Sequence, residues 1–251
     1  MNKIIVANWK MNPKTLVAAK DILDPIKKAF QRANLKGKKT IVICPPQSFF
    51  GIFEKLPKNI SLGAQDLSVY PSGAYTGEVS GGMLRSAGVS FVIIGHSERR
   101  AMGETTEILS KKIKRAFENK ITPIICIGEK TRDSDGQFFI EIRSIIESTL
   151  KGISKTEVSK IVIAYEPLWA ISTEGKSAIN PELLRETSIF IRRTLSELYG
   201  NKVGIKVPII YGGSVNVKDA KEIISMGEVD GLLIGKDSLI SKDFIQIISS
   251  I

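Results

Sequence analysis

Ile161-Val162-Ile163-Ala164-Tyr165-Glu166-Pro167 is a run of five apolar or aromatic residues that ends abruptly on a carboxylate and a proline. A strand with one wet face alternates apolar and polar residues. A run that stays apolar suits a strand covered on both faces, as in a parallel sheet. Short runs rich in Ile and Val recur down the chain, most of them without polar alternation, at Ile4–Ala7, Thr40–Cys44, Ser61–Gly63, Phe91–Ile94, Thr122–Ile127, Ile161–Tyr165, Val207–Tyr211 and Gly231–Ile234. Longer segments with helical spacing separate these runs. Asn180-Pro181 is an N-cap and first-turn pair that predicts a helix running to about Gly200. Asn216, three residues before Asp219, predicts another helix start.

Eight strands alternating with helices require parallel pairing through right-handed crossovers, in an open doubly wound sheet or a closed barrel. Eight units in 251 residues fit the barrel. No Gly-x-Gly-x-x-Gly follows the first strand, which weakens the open dinucleotide-binding alternative. With no Ser/Gly- or Pro-rich linker, the expectation is a single α/β domain over residues 1–251.

Composition narrows the chemistry. Apolar residues at 43% and charged residues at 25% describe an ordinary globular chain. Two cysteines, Cys44 and Cys126, exclude a disulfide scaffold and a four-cysteine zinc site. Both end apolar strands and read as buried thiols. A single histidine, His96, excludes a histidine-rich metal centre. The first apolar run breaks at Asn8 after four residues, too short for a signal-peptide core, and no stretch is long enough to span a bilayer. A cytoplasmic protein without membrane contact is expected.

The net charge of +10, from 36 basic and 26 acidic residues, raises the question of nucleic acid. Many of the bases sit where helix electrostatics favour them. Glu104 and Glu107 precede Lys111, Lys112, Lys114 and Arg115 in one expected helix, with Glu107 and Lys111 as an i,i+4 pair. No zinc-finger spacing, Arg-rich arm or aromatic RNA-binding signature is present, so no nucleic-acid partner is expected.

In a parallel barrel, chemistry sits at the C-terminal strand ends. Those ends read Asn8-Trp9-Lys10, Gly95-His96-Ser97-Glu98, Tyr165-Glu166-Pro167, Gly212-Gly213-Ser214 and Gly235-Lys236. Glu166, drawn out of water at a strand end, suits a general base, although a rim carboxylate paired with a cation is the plain alternative. His96 opens a short expected helix, Ser97-Glu98-Arg99-Arg100, whose backbone N–H groups favour an uncharged imidazole; a structural histidine is the alternative. Lys10 on the same mouth suits an anionic intermediate, where an isolated lysine would be merely solvated. Glu98 and Arg99 read as a salt bridge beneath the site. The glycine turns after the last two strands suit a phosphate, or are simply tight turns. Residues 167–178, with a proline, a tryptophan and small residues at the tip, have the make-up of a lid or of an ordinary loop.

Together with Gly73-Ala74-Tyr75-Thr76-Gly77-Glu78-Val79-Ser80, these stretches resemble the motifs of the triosephosphate isomerase family, in its order and along the whole chain. The matching stretches are Asn8-Trp9-Lys10-Met11-Asn12, Gly95-His96-Ser97-Glu98-Arg99-Arg100, Ala164-Tyr165-Glu166-Pro167-Leu168-Trp169-Ala170 and Tyr211-Gly212-Gly213-Ser214-Val215. The resemblance implies a single-domain (β/α)8 TIM barrel that interconverts dihydroxyacetone phosphate and D-glyceraldehyde 3-phosphate without cofactor or metal. It implies Glu166 as the base, His96 as the neutral electrophile, and Lys10 with Asn8 holding substrate. Ser172, Ser214, Gly235 and Lys236 stand where the family grips phosphate. Thr76 matches the residue that reaches a partner's site, which implies a homodimer. Two departures stand out. The stretch Ile171-Ser172-Thr173-Glu174-Gly175-Lys176-Ser177-Ala178 is one residue longer than the family's usual Ile-Gly-Thr-Gly-Lys-Thr-Ala and adds an acid. Lys236 stands where the family usually has the second of two glycines. Another phosphosugar barrel enzyme, or a phosphate-binding barrel with impaired turnover, remain as alternatives.

Overall fold

A sheet of strands apolar on both sides still has two raw edges, and this chain removes them by closing on itself. The computed structural model describes residues 2–31, 39–171 and 179–251. Its strands are β1 (Lys3–Asn8), β2 (Lys39–Cys44), β3 (Ile60–Ala64), β4 (Phe91–Ile94), β5 (Thr122–Ile127), β6 (Val162–Tyr165), β7 (Ile209–Tyr211) and β8 (Gly231–Ile234). Each pairs in parallel with the next, and β8 returns to β1 in a register running from Ile4 opposite Gly231 to Ala7 opposite Ile234. The eight-stranded parallel barrel expected from the sequence is therefore observed. Boundaries moved by one or two residues; β7 starts at Ile209 rather than Val207.

The alternation of side chains splits each strand between two cores. Ile4, Val6, Val42, Cys44, Ile93, Ile124, Cys126, Val162, Ala164, Ile210 and Leu233 fill the lumen. Ile5, Ala7, Ile41, Ile43, Ile125, Ile163 and Tyr165 face outward into the layer shared with the helices. The helix Leu16–Gln31 buries Ala19, Leu23, Ile26 and Phe30 against that layer, a stripe at helical spacing. The lumen parity has a consequence for the rim. Continuing 4, 6 leads to Asn8, and continuing 162, 164 leads to Glu166. The same count on β7 and β8 leads to Gly212 and Gly235.

Of the local expectations, one holds and two need adjusting. Pro181–Tyr199 forms the predicted helix, with the Asn180 side chain accepting the Glu182 N–H and Gly200 at its end. Asn216 instead caps a turn: its side chain accepts the Lys218 N–H, and the helix begins only at Ala220. Glu104 lies outside the helix Thr106–Glu118 and pairs with Lys112, which is buried. That pair is a tertiary anchor, not a helix-dipole effect. Glu107 does occupy the first turn; the Thr105 hydroxyl is the main cause holding its carboxyl below the usual value, with Lys111 contributing less.

Candidate active site

Glu166 follows β6 on the lumen side and is 2% exposed. Its Oε2 accepts the Ser97 N–H at 3.3 Å. Its Oε1 is buried, accepts no hydrogen bond, and lies 3.5 Å from His96 Nε2. Among the described residues, Glu104 and Glu129 each also keep one buried oxygen without a donor, but the free oxygen of Glu166 is the one that faces an imidazole. Gly212 makes the space for it: a Cβ there would stand 2.8 Å from Glu166 Cγ. Below, the Cys126 thiol borders the same carboxylate. Burial first, and then the Glu166 charge, push its pKa well up, so Cys126 is an inert lining.

His96 enters the site because Gly95 breaks the strand alternation with a φ of +72°, a conformation costly for any side chain bearing a Cβ. His96 then caps the helix Ser97–Ala101, its Nδ1 accepting the Glu98 N–H at 3.3 Å. An imidazole nitrogen that accepts a backbone N–H carries no proton, so the proton sits on Nε2, the nitrogen facing Glu166. The ring is thus an uncharged donor aimed into the site.

Lys10 has a left-handed backbone, φ +52°. Two contacts hold it there: the Asn8 side chain accepts the Lys10 N–H at 3.0 Å, and Gln65 Nε2 donates to the Lys10 carbonyl at 2.8 Å. Its ammonium lies 2.7 Å from Glu98 Oε1. Glu98 and Arg99 therefore do not form one salt bridge beneath the site. Glu98 is exposed at the mouth beside Lys10, while Arg99, on the same cavity lining, pairs with Asp66 at 2.8 Å.

Two adjoining cavities share Lys10 and His96. One of about 330 Å³ is lined by Asn8, Gln65 and Glu98 besides them. The other, about 210 Å³, is lined by Gly212, Gly213, Ser214, Gly235, Lys236 and Asp237. The structure thus brings Asn8, Lys10, His96, Ser214, Gly235 and Lys236 to one mouth, with Glu166 between His96 and Gly212. Ser172 and the rest of the expected lid, 172–178, lie outside the described residues. The stretch leading into it is anchored, as its tryptophan suggested: Trp169 Nε1 and Tyr165 Oη both donate to the buried Glu129 Oε1, at 2.7 and 2.8 Å. Thr76 is exposed and lines a third cavity of about 540 Å³ with Tyr70 and Tyr75, adjoining the first through Arg99 and Met102.

The sequence reading missed Gln65, Gly212 as a spacer, and the Ser97 N–H. Gln65 carried a usable signal, standing immediately after the apolar run of β3 where the other site residues stand on their strands. The Ser97 backbone contact has no sequence signal beyond the helix start.

The family model described as triosephosphate isomerase matches residues 3–251. A triosephosphate isomerase of Dictyoglomus turgidum is 43% identical over 252 residues, covering 99% of both chains. One from Clostridium botulinum (strain Okra / Type B1) is 42% identical over 250 residues, covering 98% of each. One from Clostridium beijerinckii is 40% identical over 254 residues, covering 99% of this chain and all of its own.

Proposed function

From the premise that the chain belongs to the triosephosphate isomerase family, we infer that Glu166, His96 and Lys10 carry out the interconversion of dihydroxyacetone phosphate and D-glyceraldehyde 3-phosphate. Glu166 takes a proton from the carbon beside the carbonyl. The His96 Nε2–H donates to the carbonyl oxygen as charge moves onto it, and the Lys10 ammonium offsets the resulting enediolate. The proton of the adjacent hydroxyl passes, with His96 helping to move it, to the former carbonyl oxygen, and Glu166 returns its proton to the neighbouring carbon, so that the carbonyl has shifted by one position. Asn8 holds the Lys10 backbone, and the backbone at Ser172, Ser214, Gly235 and Lys236 takes the phosphate.

The observation that carries this reading is Glu166 Oε1, buried, without a hydrogen-bond partner, 3.5 Å from an imidazole nitrogen that bears a proton. Stability alone would favour pairing or neutralising that oxygen; a base needs it free. The reading is tested by initial rates with both triose phosphates on the unmodified chain and on Glu166→Gln. The amide lacks a basic oxygen, so kcat falls by roughly 10³-fold, within the span of general-base contributions. The melting temperature holds or rises, because a buried charge has gone. Wild-type turnover in Glu166→Gln overturns the base assignment, and an inactive parent chain overturns the isomerase itself.

The homodimer and the cytoplasmic setting belong to the same proposal. Support for the dimer is an exposed apolar group around Thr76: Tyr70 stacked on Tyr75 at 3.6 Å, with Met102 at 78% exposure. Isolated exposed apolar side chains are ordinary, but a cluster marks a contact surface. No described helix is long and apolar enough to cross a membrane, which accords with the cytoplasmic setting.

A further inference from the structure

The turn after β8 carries a departure from the family pattern that lies within the described site. Where a second glycine is usual, the chain has Lys236, and Asp237 follows it. Both residues line the smaller cavity. Ser238 fixes the turn, its N–H and its hydroxyl both donating to the Gly235 carbonyl, at 3.0 and 2.6 Å. A Cβ on Gly235 would stand 3.6 Å from Lys10 Cε. The start of the Lys236 turn is thus against the stem of the lysine assigned to substrate.

The charges of this mouth nearly cancel. Lys10 is paired with Glu98 at 2.7 Å. Asp237 adds a carboxylate to a cavity that must receive a phosphate dianion, and Lys236 makes no ion pair among the described residues. Asp237 senses its neighbour: burial and Asp243 raise its carboxyl pKa, while Lys236 works in the opposite direction. Remove Lys236, and among the described residues the only cation left on the cavity lining is Lys10, already paired with Glu98, while Asp237 stays.

We propose that the Lys236 side chain is a substrate-binding group in its own right. Its ammonium screens Asp237 and contacts the phosphate, replacing with a charge what a glycine would offer through its backbone alone. The proposal rests on the isomerase reading of this cavity. Lys236 is exposed, so its pull on a dianion passes partly through water and weakens with salt. A charge at the edge of a site acts on capture more than on chemistry.

Three variants of the full chain test this: Lys236→Met, which keeps the stem and removes the charge; Lys236→Arg, which keeps the charge; and the double variant Lys236→Met/Asp237→Asn. The measurements are KM and kcat for D-glyceraldehyde 3-phosphate, the competitive inhibition constant of inorganic phosphate, and phosphate affinity by calorimetry, each at low and high salt. Lys236→Met is expected to raise KM and the phosphate constant by roughly five- to tenfold at low salt, with a smaller change in kcat and a flatter salt dependence. Lys236→Arg stays near the parent, and the double variant recovers most of the loss. A phosphate constant in Lys236→Met equal to the parent's overturns the proposal, as does an equal loss in Lys236→Arg. A parent chain without isomerase activity whose calorimetric phosphate affinity still depends on Lys236 overturns the isomerase reading and supports the lysine.

Discussion

Glu166 and His96 are set against each other by three small decisions of the chain. Gly95 adopts a left-handed backbone that turns the imidazole inward, Ser97 offers a backbone N–H to one carboxylate oxygen, and Gly212 leaves a gap behind the other. The gap is narrow enough to be tested. Alanine at 212 would place its Cβ 2.8 Å from Glu166 Cγ, well inside contact distance, and Cγ is too close to the backbone to swing aside freely. Gly212→Ala is therefore expected to displace the carboxylate and lower kcat up to about 10²-fold, the usual cost of an ångström of misplacement. Steady-state rates and a melting curve check it; full kcat with normal stability would show that the gap has no role in placing the base. At this scale the sequence told which residues the fold gathers at one mouth, because strand ends in a parallel barrel expose them. It did not tell their hydrogen-bond partners. Gln65 reaches Lys10 across 55 positions of chain, and no local pattern encodes such a contact.

Helices and strands followed their local signals to the extent that those signals were local. Asn180-Pro181 gave the start of the helix Pro181–Tyr199, since a side-chain acceptor and a preset φ act within one turn. Asn180→Ala removes the acceptor for the Glu182 N–H at 2.8 Å and is expected to cost about 1 kcal/mol in chemical denaturation. An unchanged denaturation midpoint would mean that the tertiary packing of that helix, not its cap, sets its start. Asn216 shows the limit of the same logic. It does bind a backbone N–H two residues on, but the following turn delays the helix to Ala220. Glu104 shows another. In sequence it resembles a first-turn acid; in the fold it leaves the helix to meet Lys112, whose ammonium is buried and also held by Asp66. Burial sets the role of that pair, and burial is not visible along the chain.

For the molecule as a whole, the cluster of Tyr70, Tyr75 and Met102 around Thr76 belongs to the proposed dimer. Thr76→Arg is expected to lower the sedimentation mass from dimer toward monomer and to make activity depend on protein concentration. A parent chain that sediments as a fully active monomer at assay concentration would remove the dimer from the account. What the sequence determined by itself was a parallel α/β fold and the set of polar residues at its strand ends. Apolar runs, most of them with no wet face, suit buried parallel strands, and the residues ending them are carried to the same side, the rim; the closure of β8 onto β1 came from the structure. Tertiary structure alone decided how that rim is charged and spaced. Lys10 is shared with Glu98, Glu166 keeps one oxygen unpaired, and Lys236 faces the cavity beside Asp237. Each of these depends on distances between groups tens of residues apart, or on how a turn sits in the closed barrel, and the order of residues along the chain does not specify them.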